Sequence, residues 1–197
     1  MHPADAELII QCLAGDTEAY GALVKRYQAA VYATAFYYVG RYGAAEDVSQ
    51  EAFWSAYRNL RTLRDQNRFG PWLRSITTRT AANWLRKHMV RVHQETPLPH
   101  RRTLFIEDAR RGPDAALHAA ERQEQLHEAI DALPDRYRLP VVLRYMQELS
   151  YEEIAQFTGD TPEEIRAILH RAVNQLRGIL AQRNVSEVDL PWRRAGK

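Results

Sequence analysis

The chain has 197 residues, of which 45% are hydrophobic and 26% are charged, and its formal net charge is +2. These proportions exclude a collagen-like chain and a chain that is disordered throughout. A single cysteine, Cys12, excludes an internal disulfide and a cysteine-rich zinc site. The N-terminus, MHPADAELII, has acidic residues where a signal peptide needs basic ones, and no apolar run is long enough for a membrane span. We therefore expect a cytoplasmic protein without membrane insertion.

The charge is unevenly distributed along the chain. Residues 61–112 contain 12 basic and 4 acidic residues, a net charge of +8, whereas residues 1–60 and 113–197 each have a net charge of −3. A basic middle between acidic ends indicates one surface that faces a polyanion. A solvated basic face explains the charge excess equally well.

Helical spacing of apolar residues predicts four helices in the first half. The first spans Asp5 to Leu13, and Asp16 caps a second that continues past Ala35. The third spans Ala44 to Leu60. A basic loop from Leu63 to Arg68 leads to the fourth, Phe69 to Met89, with Pro71 in its first turn.

The second half begins after a proline- and arginine-rich stretch, residues 91–113, which we interpret as a linker that is mobile in the free protein. Helices are predicted from Asp114 to about Leu133 and from Asp135 to Met146, where Pro140 should kink or break the helix. Capping boxes at Ser150 and Thr161 predict a short helix, a turn near Gly159 and a long helix to about Leu180. This order is a helix-turn-helix, which favours DNA binding.

Two sets of motifs resemble the sigma-70 family of RNA polymerase sigma factors. The first set is Asp16 to Tyr27, AEDVSQEAF at 45–53 and Trp72 to Ile76, which resemble region 2. The second is LPDRYR at 133–138, LRY at 143–145, LSYEEIA at 149–155 and LHRA at 169–172, which resemble region 4. Two such regions joined by a short linker are similar to the extracytoplasmic-function (ECF) group.

The resemblance implies an all-α fold with two small helical domains. Region 2, a helical bundle, would occupy residues 1–90, a flexible linker 91–113, region 4 with its helix-turn-helix 114–182, and a C-terminal tail 183–197. The implied function is that of a bacterial alternative sigma factor, which binds core RNA polymerase, directs it to promoters and melts promoter DNA. The implied partners are the clamp helices of the largest polymerase subunit, the flap for region 4, duplex and single-stranded promoter DNA, and an anti-sigma factor that could hold it near the membrane. We expect a monomer when free, with no cofactor.

The third predicted helix carries the residues to which the resemblance assigns polymerase binding. They lie off its apolar stripe and are Glu46, Asp47, Gln50, Glu51 and Trp54. An acidic patch with an exposed aromatic ring suits a basic partner helix. The residues alone leave open a solvated acidic face with Trp54 folded into the core.

The basic loop and the fourth predicted helix carry the residues to which the resemblance assigns the −10 element. They are Arg64, Arg68, Trp72, Arg79, Asn83, Arg86 and Lys87. Basic side chains bind along the phosphate backbone, and aromatic rings stack on unpaired bases. The alternative is that Trp72 and Trp84 are core residues, with an edge of Trp72 still lining the site. Thr77-Thr78-Arg79 departs from the usual Ala-Arg-Asn, so the −10 preference of this chain is open.

The last long helix carries the residues to which the resemblance assigns the −35 element. They lie opposite the stripe of Ile165, Ile168, Leu169, Ala172 and Leu176, and are Glu163, Arg166, Ala167, His170 and Arg171. Glu163 could accept a hydrogen bond from cytosine or repel phosphate. Glu164 and Ile168 stand where the family often has a threonine and a basic residue, although Glu164 also fits the capping box of Thr161.

Two other functions remain open from the residues. One is a helix-turn-helix repressor, which would need a dimer surface. The other is a sigma-like module that occupies polymerase without opening promoters. The seven histidines, His93 and His100 among them, are scattered and predict no metal site. The sequence contains neither a phosphate-binding glycine loop nor a pattern of catalytic residues, so we do not predict an enzyme.

Overall fold

The structure, a computed structural model, describes residues 4–40, 42–95, 125–126 and 128–182, and within these ranges all regular structure is helical. The N-terminal half contains four helices and, between the last two of them, two 3-10 turns at Leu60–Thr62 and Gln66–Arg68. The helices are α1 (Asp5–Leu13), α2 (Thr17–Val39), α3 (Tyr42–Asn59) and α4 (Phe69–Glu95).

Among the described residues of the C-terminal half, three further helices have assigned bounds: α5 (Asp135–Met146), α6 (Tyr151–Thr158) and α7 (Pro162–Gln182). Residues 125–126 and 128–131, which precede α5, are helical as well. The predicted all-α architecture with its helix-turn-helix is confirmed, with α6 and α7 as the two helices of that motif.

Side-chain caps fix where the helices begin. The carboxylate of Asp16 accepts hydrogen bonds from the backbone N–H groups of Glu18 (2.9 Å) and Ala19 (3.3 Å) at the start of α2. Ser150 and Glu153 form a reciprocal capping box at the start of α6, with distances of 3.1 and 2.8 Å. These caps satisfy N–H groups that have no partner within the helix, and they confirm the starts predicted from sequence.

Three local predictions differ from the structure. Helix α4 continues to Glu95 rather than ending at Met89, so residues 91–95 of the predicted linker are helical. Part of the predicted basic loop is a 3-10 turn, because the carboxylate of Asp65 accepts a hydrogen bond from the N–H of Asn67 at 3.0 Å. Pro140 does not break α5. It removes one backbone hydrogen bond, and the burial of Val141, Val142 and Leu143 beside it outweighs that loss.

Several predictions fall on residues that the structure does not describe. These are the rest of the predicted linker from residue 96, including His100, the start of the helix predicted at Asp114, and the tail 183–197. Among the described helices, none has the combination of length and apolarity that a membrane crossing requires.

One apolar core joins the two halves of the chain. Tyr27 of α2, Phe69 of α4 and Phe157 of α6 meet within it, each at most 2% exposed. The ring centre of Tyr27 lies 5.4 Å from that of Phe69 and 6.2 Å from that of Phe157. A second, smaller cluster lies between α2, α3 and α4 and includes Phe36, Val48 and Ala81. The sequence analysis divided the chain into two domains, and the structure places the two in direct contact.

Candidate functional site

The outer face of α3 is acidic and carries an exposed tryptophan. The predicted apolar stripe, which runs from Ala45 to Leu60, is buried against the core. All five candidates for polymerase binding are exposed on the remaining surface: Glu46, Asp47, Gln50, Glu51 and Trp54. Trp54 is 55% exposed, so its ring is not folded into the core. An exposed ring on the same helix face as three carboxylates has the composition that suits a basic partner.

Trp54 belongs to an aromatic cluster that the sequence analysis missed. Its ring stacks on Tyr57 with centres 6.0 Å apart, and the ring of Tyr57 lies 4.8 Å from that of Tyr20. The hydroxyl of Tyr20 donates a hydrogen bond to the carbonyl of Phe53 at 2.5 Å, and burial raises the pKa of that hydroxyl. Tyr57 could have been found from its spacing, because residues three apart share a helix face.

Arg58 moderates the charge of this face. Its guanidinium lies 5.6 Å from the ring centre of Trp54 and 3.3 Å from the carboxylate of Glu51. Both members of the ion pair are more than half exposed, so the pair contributes little to stability. Trp54 therefore contacts both a cation and another ring, which restrict the orientation of the exposed indole.

The candidates for the −10 element lie along α4 and the turn before it. Six of the seven, five cations and Asn83, are exposed: Arg64, Arg68, Arg79, Asn83, Arg86 and Lys87. The guanidinium of Arg86 donates a hydrogen bond to the side-chain carbonyl of Asn83. This contact engages the carbonyl of Asn83 and not its NH₂ group.

Both tryptophans of α4 are half-buried. The ring of Trp72 lies 5.9 Å from that of Phe69 and packs on the shared core. The ring of Trp84 stacks on His88 with centres 4.0 Å apart, and it packs against the smaller cluster. Each ring therefore has a structural role in the core, and the expectation that an edge of Trp72 lines the −10 site stays a prediction.

The outer face of α7 is polar and exposed along its length. Ile165, Leu169, Ala172 and Leu176 are buried, and Ile168 is half-buried, which confirms the predicted stripe. The five −35 candidates are all exposed: Glu163, Arg166, Ala167, His170 and Arg171.

Arg166 of α7 contacts Tyr151 on the preceding helix. Its guanidinium carbon lies 5.2 Å from the ring centre of Tyr151, and that of Arg144 lies 5.0 Å from the same ring. The two tyrosines Tyr145 and Tyr151 line a groove of about 250 Å³ that Arg166 and His170 border. Burial, and next the neighbouring Tyr151, raise the pKa of Tyr145. Sequence reasoning did not single out Tyr151, whose only signal is its place in the LSYEEIA motif.

The acidic residue Glu164 has a structural role at the start of α7. The carboxylate of Glu164 accepts hydrogen bonds from the backbone N–H of Thr161 (2.7 Å) and from its hydroxyl (3.0 Å), which lower its pKa. Thr161 in turn accepts a hydrogen bond from the N–H of Glu164 at 3.2 Å. Glu164 is therefore engaged in the cap, whereas Glu163 is exposed beside Arg166.

Over the residues that the structure describes, no three His, Cys, Asp or Glu side chains converge in the way that metal ligands do. What the surfaces offer is charge, aromatic stacking and hydrogen bonding, which suit binding to a protein helix and to nucleic acid.

Comparisons with known proteins agree with this arrangement. The family model of Sigma-70 region 2 matches residues 23–90, and that of Sigma-70, region 4 matches residues 123–176. RNA polymerase sigma factor SigV of Bacillus subtilis is 31% identical over 156 residues, which are 79% of this chain and 87% of that protein. The ECF RNA polymerase sigma-E factor of Escherichia coli is 31% identical over 176 residues, or 85% of this chain and 90% of that protein.

A solved structure has the same fold. The structure of CnrH in complex with the cytosolic domain of CnrY matches with a TM-score of 0.53 at 23% identity, over 91% of this chain and 99% of the matched chain. With two family regions matched in order, and relatives similar over most of their length, the chain belongs to the sigma-70 family of RNA polymerase sigma factors, in its extracytoplasmic-function group.

Proposed function

We propose that this chain binds core RNA polymerase and directs it to promoters that it recognises at the −10 and −35 elements and melts. The observation that carries the proposal is the exposed face of α3, where Trp54 is 55% exposed on the same face as Glu46, Asp47 and Glu51 while the opposite stripe is buried. An apolar ring kept in water beside acidic groups favours a basic partner that covers it.

The polymerase partner is the pair of clamp helices of the largest subunit. Glu46, Asp47, Gln50 and Glu51 supply negative charge and hydrogen-bond acceptors around Trp54. The surrounding charges would steer the approach and fix the register, and the desolvated indole would supply most of the affinity. Region 4 would contact the flap of the same enzyme.

The −10 element is assigned to α4 and the turn before it. The arginines and Lys87 would follow the phosphates, while the exposed edge of Trp72 would stack on a base released from the duplex. Asn83 is the candidate reader of a base edge, because its carbonyl is engaged by Arg86 and its NH₂ group is left to donate. Stacking on an unpaired base contributes about 1–3 kcal/mol, which offsets part of the cost of unpairing.

The −35 element is assigned to the outer face of α7. Arg166 and His170 would reach base edges or phosphates in the major groove, and Arg171 would contact a phosphate. The methyl group of Ala167 permits close approach of a thymine methyl group. Glu163 would favour a cytosine at the position it faces and oppose a phosphate there.

The chain would act by binding, without covalent chemistry or a cofactor, in the cytoplasm. An anti-sigma factor that covers the polymerase-facing and DNA-facing surfaces is the expected negative regulator. A repressor would bind duplex DNA without polymerase, and a non-melting module would bind polymerase without opening the promoter.

The first test is co-elution of the purified chain with core polymerase that lacks its own sigma factor. Co-elution is expected, and changing Asp47 and Glu51 to lysine should abolish it. The double change of the exposed residues Glu7 and Glu18 to lysine is the matched control, since it alters the net charge equally on other helices. Elution of the well-folded chain as a separate protein would contradict the proposal.

The second test is melting of a promoter labelled with a fluorescent base in the −10 element. The chain with core polymerase should raise the fluorescence, and a chain carrying Trp72→Ala should raise it less. Polymerase binding without any fluorescence change would favour the non-melting module. Duplex binding by a dimer without polymerase would favour the repressor.

A further inference from the structure

A groove lined by α5, α6 and α7 is only partly used by the proposed function. It has a volume of about 250 Å³ and is lined by two tyrosines, one on α5 and one on α6, and by one face of α7. Arg166 and His170 border the groove and belong to the candidate −35 surface. Tyr145, Asn174 and Arg177 line it as well, and the proposed function assigns them no role.

The groove is cationic. Arg166 and Arg177 line it, and among the described residues that do so none is acidic. Positions 166 and 177 are 11 residues apart on α7, which separates the two arginines by about 16 Å along the helix axis. A guanidinium keeps its charge at any physiological pH, so the groove has a cation at each end and attracts anions.

Tyr151 orients the arginines at one end of the groove. The guanidinium carbons of Arg166 and Arg144 lie 5.2 and 5.0 Å from its ring centre. Stacking engages the flat face of a guanidinium and not the N–H donors at its edge. Arg144 is also fixed by a hydrogen bond that it donates to the carbonyl of Leu149 at 2.9 Å. A guanidinium held in this way loses less entropy when it binds a phosphate group, because part of its freedom is already lost.

The other end of the groove presents hydrogen-bond donors. The guanidinium of Arg177 donates a hydrogen bond to the side-chain carbonyl of Asn174 at 3.4 Å, and this bond does not engage the NH₂ group of Asn174. Burial, and next Tyr151, raise the pKa of Tyr145, whereas Arg144 and Arg177 act in the opposite direction, so both guanidinium groups lie near that hydroxyl. This end therefore combines a guanidinium, an amide and a hydroxyl.

Between the two ends the floor of the groove is apolar. Leu169 and Val173 are 2% and 8% exposed, and the half-buried Tyr145 lines the groove with them. Aromatic and apolar surfaces bind nucleobases, and arginines bind phosphate. Small-molecule sites usually measure about 300–1,000 Å³, so a groove just below that range restricts the ligand to the size of one nucleotide.

We propose that this groove binds a free guanine mononucleotide, with its phosphate at Arg166 and His170 and the edge of its base at Asn174 and Arg177. Guanine fits the donor-rich end because its O6 and N7 both accept hydrogen bonds, whereas adenine presents its N6 amino donor there. Since the phosphate occupies two residues of the candidate −35 surface, the bound nucleotide excludes −35 DNA. That competition rests on the proposed function, whereas binding of the nucleotide does not.

Isothermal titration calorimetry on the full chain tests the site with three probes: guanosine 5′-monophosphate, adenosine 5′-monophosphate and inorganic phosphate. The guanine nucleotide should bind most tightly, and the adenine nucleotide about fivefold or more weakly, because a guanidinium paired with the wrong base loses its acceptors. Inorganic phosphate should bind more weakly than either nucleotide, since it lacks the base.

Arg177→Gln should remove most of the preference for guanine over adenine, because it removes the guanidinium at the base edge. Arg61→Gln is the matched control, since it removes the same charge from an exposed position in the 3-10 turn Leu60–Thr62. Asn174→Ala, also at an exposed position, should act in the same direction as Arg177→Gln and serves if that variant does not fold. Circular dichroism checks the fold of each variant.

Equal affinities for the three probes would overturn the proposal, because they would show a general attraction of anions. So would the absence of nucleotide binding, or a guanine preference that survives both Arg177→Gln and Asn174→Ala.

Fluorescence anisotropy with −35 duplex DNA tests the competition. Guanosine 5′-monophosphate at ten times its own Kd should raise the apparent Kd of the duplex about elevenfold, by mass action. An unchanged Kd of the duplex would overturn the placement of the phosphate at Arg166 and His170. Failure of the proposed function is distinguishable, because the chain would then fail to bind the duplex even without nucleotide, while calorimetry would still decide whether the groove binds the nucleotide.

Discussion

The guanidinium of Arg166 lies 5.2 Å from the ring centre of Tyr151, which connects helix α7 to the helix before it. Arg144 lies over the same ring at 5.0 Å and donates a hydrogen bond to the carbonyl of Leu149 at 2.9 Å. Tyr151 thus contacts two arginines, and it restricts where Arg166 points. Pre-orientation of this kind lowers the entropy cost of binding.

Tyr151→Leu should weaken binding to −35 duplex DNA. The loss of an exposed cation–π contact is about 1 kcal/mol, which corresponds to a roughly fivefold higher Kd. Fluorescence anisotropy at fixed salt measures it, with a scrambled duplex as the control for non-specific binding. An equal loss on both duplexes would mean that Tyr151 does not position a base-reading arginine.

Trp54→Ala should weaken binding to core polymerase and leave the stability of the chain nearly unchanged. Because the ring is exposed, we expect the free energy of unfolding to change by less than about 0.5 kcal/mol. Loss of an interface anchor costs about 2 kcal/mol or more, so affinity for core polymerase should fall roughly thirtyfold. The measurements are urea denaturation and a competition assay with core polymerase.

Trp84→Ala is the matched comparison for Trp54→Ala. Trp84 is half-buried and stacks on His88, so its removal should lower the free energy of unfolding and leave affinity for polymerase nearly unchanged. Equal loss of polymerase affinity in both variants would argue against Trp54 as an anchor.

Tyr27→Phe should destabilise the chain by about 1–3 kcal/mol, because the buried carboxylate of Asp5 loses a hydrogen-bond donor while ring packing is kept. Urea denaturation followed by circular dichroism measures it. Tyr57→Phe, at an exposed ring, is the control and should change stability little. A neutral Tyr27→Phe would indicate that water or another donor replaces the hydroxyl.

Glu164, in the cap of α7, should have a pKa below that of an ordinary glutamate. The Thr161 N–H and hydroxyl lower the pKa of Glu164, so its contribution to stability is present above the unfolded-state pKa and is lost as pH falls through the folded-state value. In Thr161→Ala the backbone donor remains, so the pKa should rise only part of the way to normal. NMR titration of the Glu164 carboxyl carbon checks this, and a pKa unmoved by the substitution would contradict the assigned role of the hydroxyl.

Local patterns predicted most helices because their causes are local. Apolar spacing predicted which face of α3 is buried, and the caps at Asp16, Ser150 and Thr161 predicted where helices begin. The exposure of the candidate side chains on α3 and α7 follows from the same periodicity, since a residue opposite a buried stripe faces solvent. The roles of those side chains in binding polymerase and DNA remain predictions.

The sequence by itself determined the helices, their caps, their polar faces and the family. Only the tertiary structure decided what covers the apolar faces, because that depends on contacts between residues far apart in the chain. Asp5 reads in sequence as an acidic residue in a first helical turn, yet it is buried against Gln156, 151 positions away. Gly70 reads as an ordinary glycine beside a proline, yet its missing Cβ atom is what lets two helices touch. Neither partner leaves a local signature, since hydrogen bonding and steric fit act through space and not along the sequence.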